Sequence, residues 1–187
     1  MKISVFIISF IISISLSAQH DKVLEIRAYY KEVKSNIAIN NPDSISYYYS
    51  DQIIRNRYDA QWRAIGIFHD TITYWYGDAM EAANMDGNTS QDSSWALKLV
   101  TISSQYSTMH QYREWLFLDG KLIFHFDKLD GSEYNPDSNW EYRYYFNDNK
   151  LIRFMSGGEI IGYDDDPASI ILSGEEMKTM FRSIIRN

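Results

Sequence analysis

The segment Leu118-Asp119-Gly120-Lys121 constrains the fold more than any other part of this sequence. Asp-Gly between apolar flanks is the preferred content of a two-residue β-hairpin turn, because both central positions need a positive φ angle. A hairpin closed by this turn places Phe117 opposite Leu122 and Trp115 opposite Phe124. We therefore predict antiparallel strands on either side of the turn, with these apolar side chains on one buried face.

A second hairpin is predicted between Tyr142–Phe146 and Lys150–Met155, which flank Asn147-Asp148-Asn149. Asn and Asp tolerate the left-handed backbone that tight turns require. The pattern fits a loop of two residues or one of three, and a slip by one residue would exchange the faces of the strands. The strands are therefore predicted without a pairing register.

The two hairpins echo each other in sequence. Phe117–Ile123 matches Tyr145–Ile152 with one residue inserted. Over Trp115–Phe154 the chain resembles the MORN type of aromatic hairpin repeat, although the second copy lacks the turn glycine and no third copy is evident. Repeat arrays are usually built from three or more units. The resemblance implies shared hairpin chemistry, and we transfer no activity or binding residue from it.

The apolar pattern predicts one helix near each end of the chain. Asp21 to about Ile39 carries apolar residues three and four positions apart, with Asp21 as the N-cap. This stripe consists of Val23, Ile26, Tyr30, Val33 and Ile37. Ser173 and Glu176 have the spacing of a capping box and predict the start of a short C-terminal helix. Its stripe consists of Met177, Met180, Phe181, Ile184 and Ile185.

Strand-forming segments dominate the chain between these helices. Runs rich in Ile, Thr, Tyr and Trp predict strands at Ile45–Arg57, Gln61–Phe68, Thr71–Tyr76 and Trp95–Tyr106. Other predicted features are a turn at His69-Asp70, a loop at Ala79–Ser94, and short apolar runs at Glu159–Tyr163 and Ser169–Leu172. The sequence thus predicts one α+β domain: an N-terminal helix packed on a curved antiparallel sheet of about seven or eight strands, formed as a meander of hairpins, with a short C-terminal helix.

Residues 1–18 have the pattern of an export signal. Lys2 provides a positive start, Ile3–Leu16 is almost entirely apolar, and Ser17-Ala18 supplies small residues for cleavage. The run is shorter than the roughly 20 residues of a membrane-spanning helix, so no integral span is predicted after cleavage. We expect residues 19–187 to form a single exported domain, either periplasmic or extracellular. The chain contains no cysteine, so no disulfide holds this domain together.

The net charge of −7 limits the partners of the chain. Nucleic-acid binding requires a basic surface that displaces counterions, so we predict no nucleic-acid partner. The sequence has no phosphate-binding glycine loop, no Gly-x-Ser-x-Gly motif and no cysteine nucleophile. We therefore predict no cofactor, and the sequence favours a protein without enzymatic activity.

Aromatic residues make up 16% of the chain and are its strongest compositional indication of function. Tyr and Trp combine a large apolar ring with a polar group, which suits both a sheet core and a binding surface. We predict a non-enzymatic ligand-binding or interaction module whose aromatic sheet face binds a glycan, a peptide or an envelope protein. The candidate ligand-binding residues are Tyr48, Tyr74, Tyr76, Tyr142 and Tyr144. The alternative is that these rings are buried beneath the helices and belong to the core.

An alternative function is a hydrolase that acts on an envelope or extracellular polymer. The predicted hairpin register places Glu114 opposite His125, with Asp127 next on the same face. A carboxylate beside an imidazole can orient a general base, and two carboxylates can cleave a glycoside. The same residues can equally form an ordinary cross-strand ion pair on an exposed face. The hydrolase hypothesis requires all three side chains to converge in a cleft.

Two acidic segments offer oxygen ligands of the kind that calcium prefers. Asp86, Asn88 and Asp92 alternate along one polar segment, and Asp164 and Asp166 belong to a compact cluster. Neither segment has the glycine and glutamate positions of an EF-hand. We therefore predict that both are solvated turns and that the chain has no metal site, with calcium binding as the alternative.

Overall fold

The fold combines two helices with one antiparallel sheet. The computed structural model describes residues 3–38, 48–63, 66–77, 96–131, 138–163 and 167–185, and it describes the side chains of the first helix for residues 19–37. The helices are α1 (Ile3–Ala38) and α2 (Ala168–Ile185). The strands are β1 (Tyr49–Arg55), β2 (Gln61–Trp62), β3 (Gly66–Tyr76), β4 (Leu97–Tyr106), β5 (Met109–Leu118), β6 (Lys121–Asp130), β7 (Trp140–Asn147), β8 (Lys150–Ser156) and β9 (Glu159–Ile160).

The sheet is open, and its described strands are all paired antiparallel. The strand order is β1-β3-β4-β5-β6-β7-β8-β9, and the short β2 pairs with β3. From β3 to β9 each strand lies beside the next one in the chain, so the predicted meander of hairpins is confirmed. The predicted α+β class, with a helix near each end, is confirmed as well.

The two predicted hairpin turns have the same length. In the first, Asp119 and Gly120 have φ values of 51° and 70°, and in the second, Asp148 and Asn149 have 47° and 59°. Both loops contain two residues, so the insertion predicted in the second copy is wrong. The sequence analysis missed two further two-residue turns, Ser107-Thr108 between β4 and β5 and Gly157-Gly158 between β8 and β9.

A β-bulge in the first hairpin overturns part of the predicted register. Phe117 pairs with Leu122 as predicted, but Leu116 pairs with Phe124, which leaves Ile123 as an extra residue. The observed pairs beyond the bulge are Trp115–His125, Glu114–Phe126, Arg113–Asp127 and Tyr112–Lys128. The predicted pairs Trp115–Phe124 and Glu114–His125 are therefore wrong. Because one extra residue exchanges the faces of a strand, Glu114 and His125 lie on opposite sides of the sheet.

Helix α1 packs on one side of the sheet, which we call the α1 face. The helix is continuous from Ile3, so the predicted N-cap at Asp21 is wrong because helical residues precede it. The predicted apolar stripe is confirmed: Val23, Ile26 and Val33 are buried against the sheet. Their partners on the sheet are Leu99, Leu116, Ile123, Phe124, Tyr145 and Met155.

Helix α2 packs on the opposite side, which we call the α2 face. It begins at Ala168, so the predicted start at Ser173 is wrong, and the apolar run Ser169–Leu172 is helical. Ser173 instead accepts a hydrogen bond of 3.0 Å from the Trp115 indole N–H, which ties the helix to the sheet. Phe181 is fully buried in the apolar cluster of this face. Each side of the sheet therefore has its own core.

Strand β3 is continuous where the sequence predicted two strands. His69 and Asp70 were predicted to form a turn, but both lie inside β3 and pair with residues of β4. The Asp70 carboxylate tolerates this position because Arg55 of β1 forms an ion pair with it at 2.9 Å. The predicted loop Ala79–Ser94 lies outside the described residues.

Candidate ligand-binding face

The α2 face is apolar beneath α2 and polar farther along the strands. The Phe181 ring stacks on Tyr74 with 5.9 Å between ring centroids and contacts Tyr76 at 5.0 Å. On the same face, four residues before Tyr74 in β3, a row of residues paired across six strands carries mostly polar side chains. We call it the polar row. Its members are Arg55, Asp70, Ser104, Gln111, Leu129 and Trp140. Residues paired across antiparallel strands share a face, so the whole row lies on the α2 face.

Several buried polar atoms on the α2 face have no hydrogen-bond partner among the described residues. They are Asp70 Oδ1, Tyr74 OH, Ser104 Oγ, Arg113 Nε and Trp140 Nε1. A buried polar group without a partner costs about 1–3 kcal/mol of stability. Departures of this kind from the rules of stable packing are expected at functional sites. Because all five atoms lie on the α2 face, this face is the candidate for a functional site.

One end of the polar row holds an ion pair between a buried carboxylate and an exposed guanidinium. The Asp70 side chain is 4% exposed, and its Oδ2 accepts a hydrogen bond of 2.9 Å from Arg55 Nη1. The Arg55 guanidinium also lies 5.0 Å from the centroid of the Phe68 ring. Ser104 lies directly opposite Asp70 on β4 and is 2% exposed. Among the described residues, neither Asp70 Oδ1 nor Ser104 Oγ has a hydrogen-bond partner.

The other end of the polar row lies at a cleft. Trp140 and Tyr142 stack almost in parallel, with 6.2 Å between ring centroids and an interplanar angle of 12°. Both line a cleft of about 310 Å³. Its polar lining residues are Lys128, Asp130, Asn139, Glu141 and Ser156. An aromatic pair offers a ligand apolar contact area, and the surrounding polar side chains can donate and accept hydrogen bonds that fix its orientation.

The structure places the five predicted tyrosines in different environments. Tyr74 is fully buried, Tyr144 is 7% exposed, and both belong to the core cluster of the α2 face. Tyr76 is half-buried against Phe181, and Tyr48 packs on the α1 face. Tyr142 lines the cleft beside Trp140.

The three residues of the hydrolase hypothesis do not converge. His125 and Asp127 lie on the α2 face, whereas Glu114 lies on the α1 face. The His125 ring lies 4.8 Å from the Trp115 ring, and its Nδ1 donates to the backbone carbonyl of Glu114 at 2.9 Å. Asp127 Oδ1 accepts a hydrogen bond of 2.9 Å from Gln111. The bulge has thus separated the carboxylate and imidazole whose pairing motivated the hypothesis.

Comparison with known proteins assigns no family. No family model, curated protein or solved structure matches this chain. In the part of the chain that the structure describes, no group of three or more His, Cys, Asp or Glu side chains could hold a metal ion. The calcium candidates Asp86, Asn88, Asp92, Asp164 and Asp166 lie outside the described residues.

Glu114 forms a polar cluster between α1 and the sheet. Its side chain is 1% exposed and accepts hydrogen bonds from Tyr30 OH at 2.6 Å, Tyr112 OH at 2.6 Å and Lys34 Nζ at 2.8 Å. Burial raises the pKa of the Tyr30 and Tyr112 hydroxyls, and the Glu114 charge raises both further. Both hydroxyls therefore stay protonated as donors near neutral pH. Since every contact joins α1 or β5 to the same carboxylate, the cluster holds the helix on the sheet.

The sequence analysis named Tyr142 as a candidate but missed Trp140, Asp70 and Ser104. Trp140 was available in principle, because it continues the alternation of Tyr142 and Tyr144 by one more step along β7. Asp70 and Ser104 gave no such signal, because they come from different strands and meet through pairing in the sheet.

Proposed function

We propose that this protein is an exported, non-enzymatic glycan-binding module. The observation that carries the proposal is the stacked Trp140–Tyr142 pair that lines the cleft of about 310 Å³. Aromatic rings can pack against the C–H faces of a sugar ring, while nearby polar side chains bind its hydroxyl groups. Asn139 and Ser156 offer neutral groups of this kind in the same cleft.

The charges around the cleft favour a neutral ligand. Lys128 pairs with Asp130 at 2.9 Å, and Arg143 pairs with Glu141 at 2.6 Å. Each carboxylate of the lining therefore has its own cation within the protein. A ligand with many hydroxyl groups and no charge can use such a surface without displacing an ion pair, whereas a charged ligand would compete with these pairs. A neutral oligosaccharide fits this chemistry better than a charged peptide.

Substitution of Trp140 by alanine is expected to weaken oligosaccharide binding at least tenfold, because it removes the larger ring of the pair. A tenfold loss corresponds to about 1.4 kcal/mol. The purified protein would be titrated by calorimetry with soluble oligomers of glucose, mannose, xylose and N-acetylglucosamine. Trp62→Ala is the matched control, because Trp62 is a tryptophan that is 56% exposed and lies on β2, away from the cleft.

The expected result is that one of these oligomers binds, that Trp140→Ala and Tyr142→Ala both weaken its binding, and that Trp62→Ala leaves it unchanged. Circular dichroism would establish that each variant is folded. Absence of binding by all four oligomers would contradict the glycan proposal. Equal affinity of Trp140→Ala and the unsubstituted protein would show that the cleft is not the site.

The export component of the proposal is supported by the pattern of residues 1–18. Cleavage after Ala18 leaves the sheet-packing stripe of α1 intact, because that stripe begins at Val23. We expect the protein recovered from the periplasm or the medium to begin at Gln19, or at Ala18 if cleavage follows Ser17. An intact mass measurement checks this, and recovery of a cytoplasmic chain that retains residues 1–18 would contradict it.

Among the described residues, no helix combines the length and the apolar character that crossing a membrane would take.

A further inference from the structure

Strand β1 is a long and exposed edge of the sheet. It contains 7 residues and pairs with β3 on one side, and no other described strand pairs with it. Tyr49 is 59% exposed and Ile54 is 42% exposed, so both ends of the strand are in contact with solvent. An edge of this length presents backbone N–H and C=O groups that can pair with another strand.

The two edges of the sheet differ in their protection. The opposite edge is formed by β8, of which only Met155 and Ser156 pair with the short β9, and β8 begins with Lys150, a residue type that limits pairing at an edge. Strand β1 contains no proline and no lysine, the residues that commonly prevent pairing at an edge. Among the described residues, β1 is therefore the less protected of the two edges.

We propose that β1 pairs with β1 of a second copy of this chain about a two-fold axis at Ile53. In this antiparallel register Asp51 of each copy lies opposite Arg55 of the other copy, so two cross-strand ion pairs flank the central Ile53 pair. Opposite charges directly across two strands stabilise the pairing. A register centred one residue earlier, on Gln52, would place Asp51 opposite Ile53. The charges therefore select the first register and identify a second copy as the occupant.

Both charged residues have capacity for a second partner. Asp51 uses Oδ2 to accept a hydrogen bond of 2.9 Å from the Tyr76 hydroxyl. Arg55 uses Nη1 for Asp70, and its side chain is 57% exposed. Asp51 therefore keeps one oxygen and Arg55 keeps further N–H groups for the second copy. Because paired residues share a face, the two α2 faces of the dimer would lie on the same side, which would allow one polymer to engage both clefts.

Substitutions at Gln52 and Ile54 test the pairing without touching Asp51 or Arg55. These two residues face each other across the proposed interface, on the opposite side of the sheet from the ion pairs. Gln52→Lys with Ile54→Lys places lysines opposite each other twice and is expected to give a monomer. Gln52→Glu with Ile54→Lys places opposite charges at the same positions and is expected to remain a dimer. Sedimentation velocity over a concentration series measures the mass of each variant and of the unsubstituted chain.

A single introduced cysteine tests the register. The chain contains no cysteine, so Ile53→Cys gives one thiol, which lies on the two-fold axis. Mild oxidation should convert this variant to a covalent dimer, whereas Tyr58→Cys, at a position that is 89% exposed outside β1, should remain uncrosslinked at the same concentration. A monomeric unsubstituted chain, or a Gln52→Lys/Ile54→Lys variant that stays dimeric, would overturn the proposal. Failure of Ile53→Cys to crosslink in a dimer would overturn the register.

Discussion

Substitution of Glu114 by alanine is expected to lower the free energy of unfolding by about 2–6 kcal/mol, because two part-buried tyrosine hydroxyls lose their acceptor at a cost of about 1–3 kcal/mol each. The change removes the acceptor of Tyr30, Lys34 and Tyr112 and leaves two hydroxyls without a partner at the interface between α1 and the sheet. Whole domains have stabilities of about 5–15 kcal/mol, so this loss is a large fraction of the total. Urea denaturation followed by circular dichroism measures it.

Two further variants separate the buried charge from other effects. Glu114→Gln keeps the shape and one oxygen acceptor, so its loss should be smaller than that of Glu114→Ala. Glu25→Ala removes a carboxylate that is 66% exposed and pairs with Lys22 on the surface of α1, so it should change stability by less than about 0.5 kcal/mol. A Glu114→Ala variant as stable as Glu25→Ala would show that the cluster does not hold α1 on the sheet.

The stability of the protein is expected to fall by about 3 kcal/mol through His125 as the pH falls from 6.5 to 4. The pKa of His125 is lowered from 6.5 to about 4, mainly by burial and to a smaller extent by the nearby Arg113 charge, and the bond to the Glu114 carbonyl opposes both effects. Between these two pH values the unfolded chain binds a proton that the folded chain does not bind. Acidification therefore favours the unfolded state over this range, and the penalty is complete below about pH 4.

Urea denaturation at several pH values, compared between variants, isolates the contribution of His125. His125→Gln removes the titrating ring, so its stability should depend less steeply on pH between 6.5 and 4.5 than that of the unsubstituted protein. His110→Gln, which removes an exposed histidine of the neighbouring strand, is the matched control variant. Identical slopes for His125→Gln and the unsubstituted protein would mean that the ring is accessible to protons in the folded state.

The turns and the apolar stripes could be predicted from the sequence because they depend on local chemistry. Asp119-Gly120 and the stripe that begins at Val23 belong to this group. The bulge could not be predicted, because it adds Ile123 within an ordinary apolar strand and leaves no mark in the residue pattern. The second hairpin has a bulge at the equivalent residue, Ile152. The two hairpins therefore match residue for residue in structure, without the inserted residue that the sequence alignment required.

Tertiary partners explain the other differences. His69-Asp70 has the composition of a turn, but pairing with Arg55 allows Asp70 to lie inside a strand. Ser173 has the spacing of a capping residue, but α2 begins at Ala168, five residues before it. The serine hydroxyl instead accepts a hydrogen bond from the Trp115 indole. In each case the local preference was real, and a contact distant in sequence was stronger.

The candidate site was even less accessible to sequence reasoning. The predicted tyrosines share a composition, but the depth of each ring depends on where α2 lies, so Tyr74 is covered by Phe181 while Tyr142 reaches the cleft. The hydrolase grouping depended on a register that the bulge changed by one residue. The aromatic composition thus predicted an aromatic face on the sheet, but it could not predict which of the aromatic residues reach the cleft.

The most direct test of ligand binding at the cleft is the indole N–H resonance of Trp140 in a two-dimensional nitrogen–proton NMR spectrum. The chain has five tryptophans, and loss of one indole signal in Trp140→Phe assigns that of Trp140. On titration with the oligosaccharides, the Trp140 signal is predicted to shift in proportion to saturation while the Trp62 signal stays in place. A bound oligosaccharide that leaves the Trp140 signal unmoved would contradict the account.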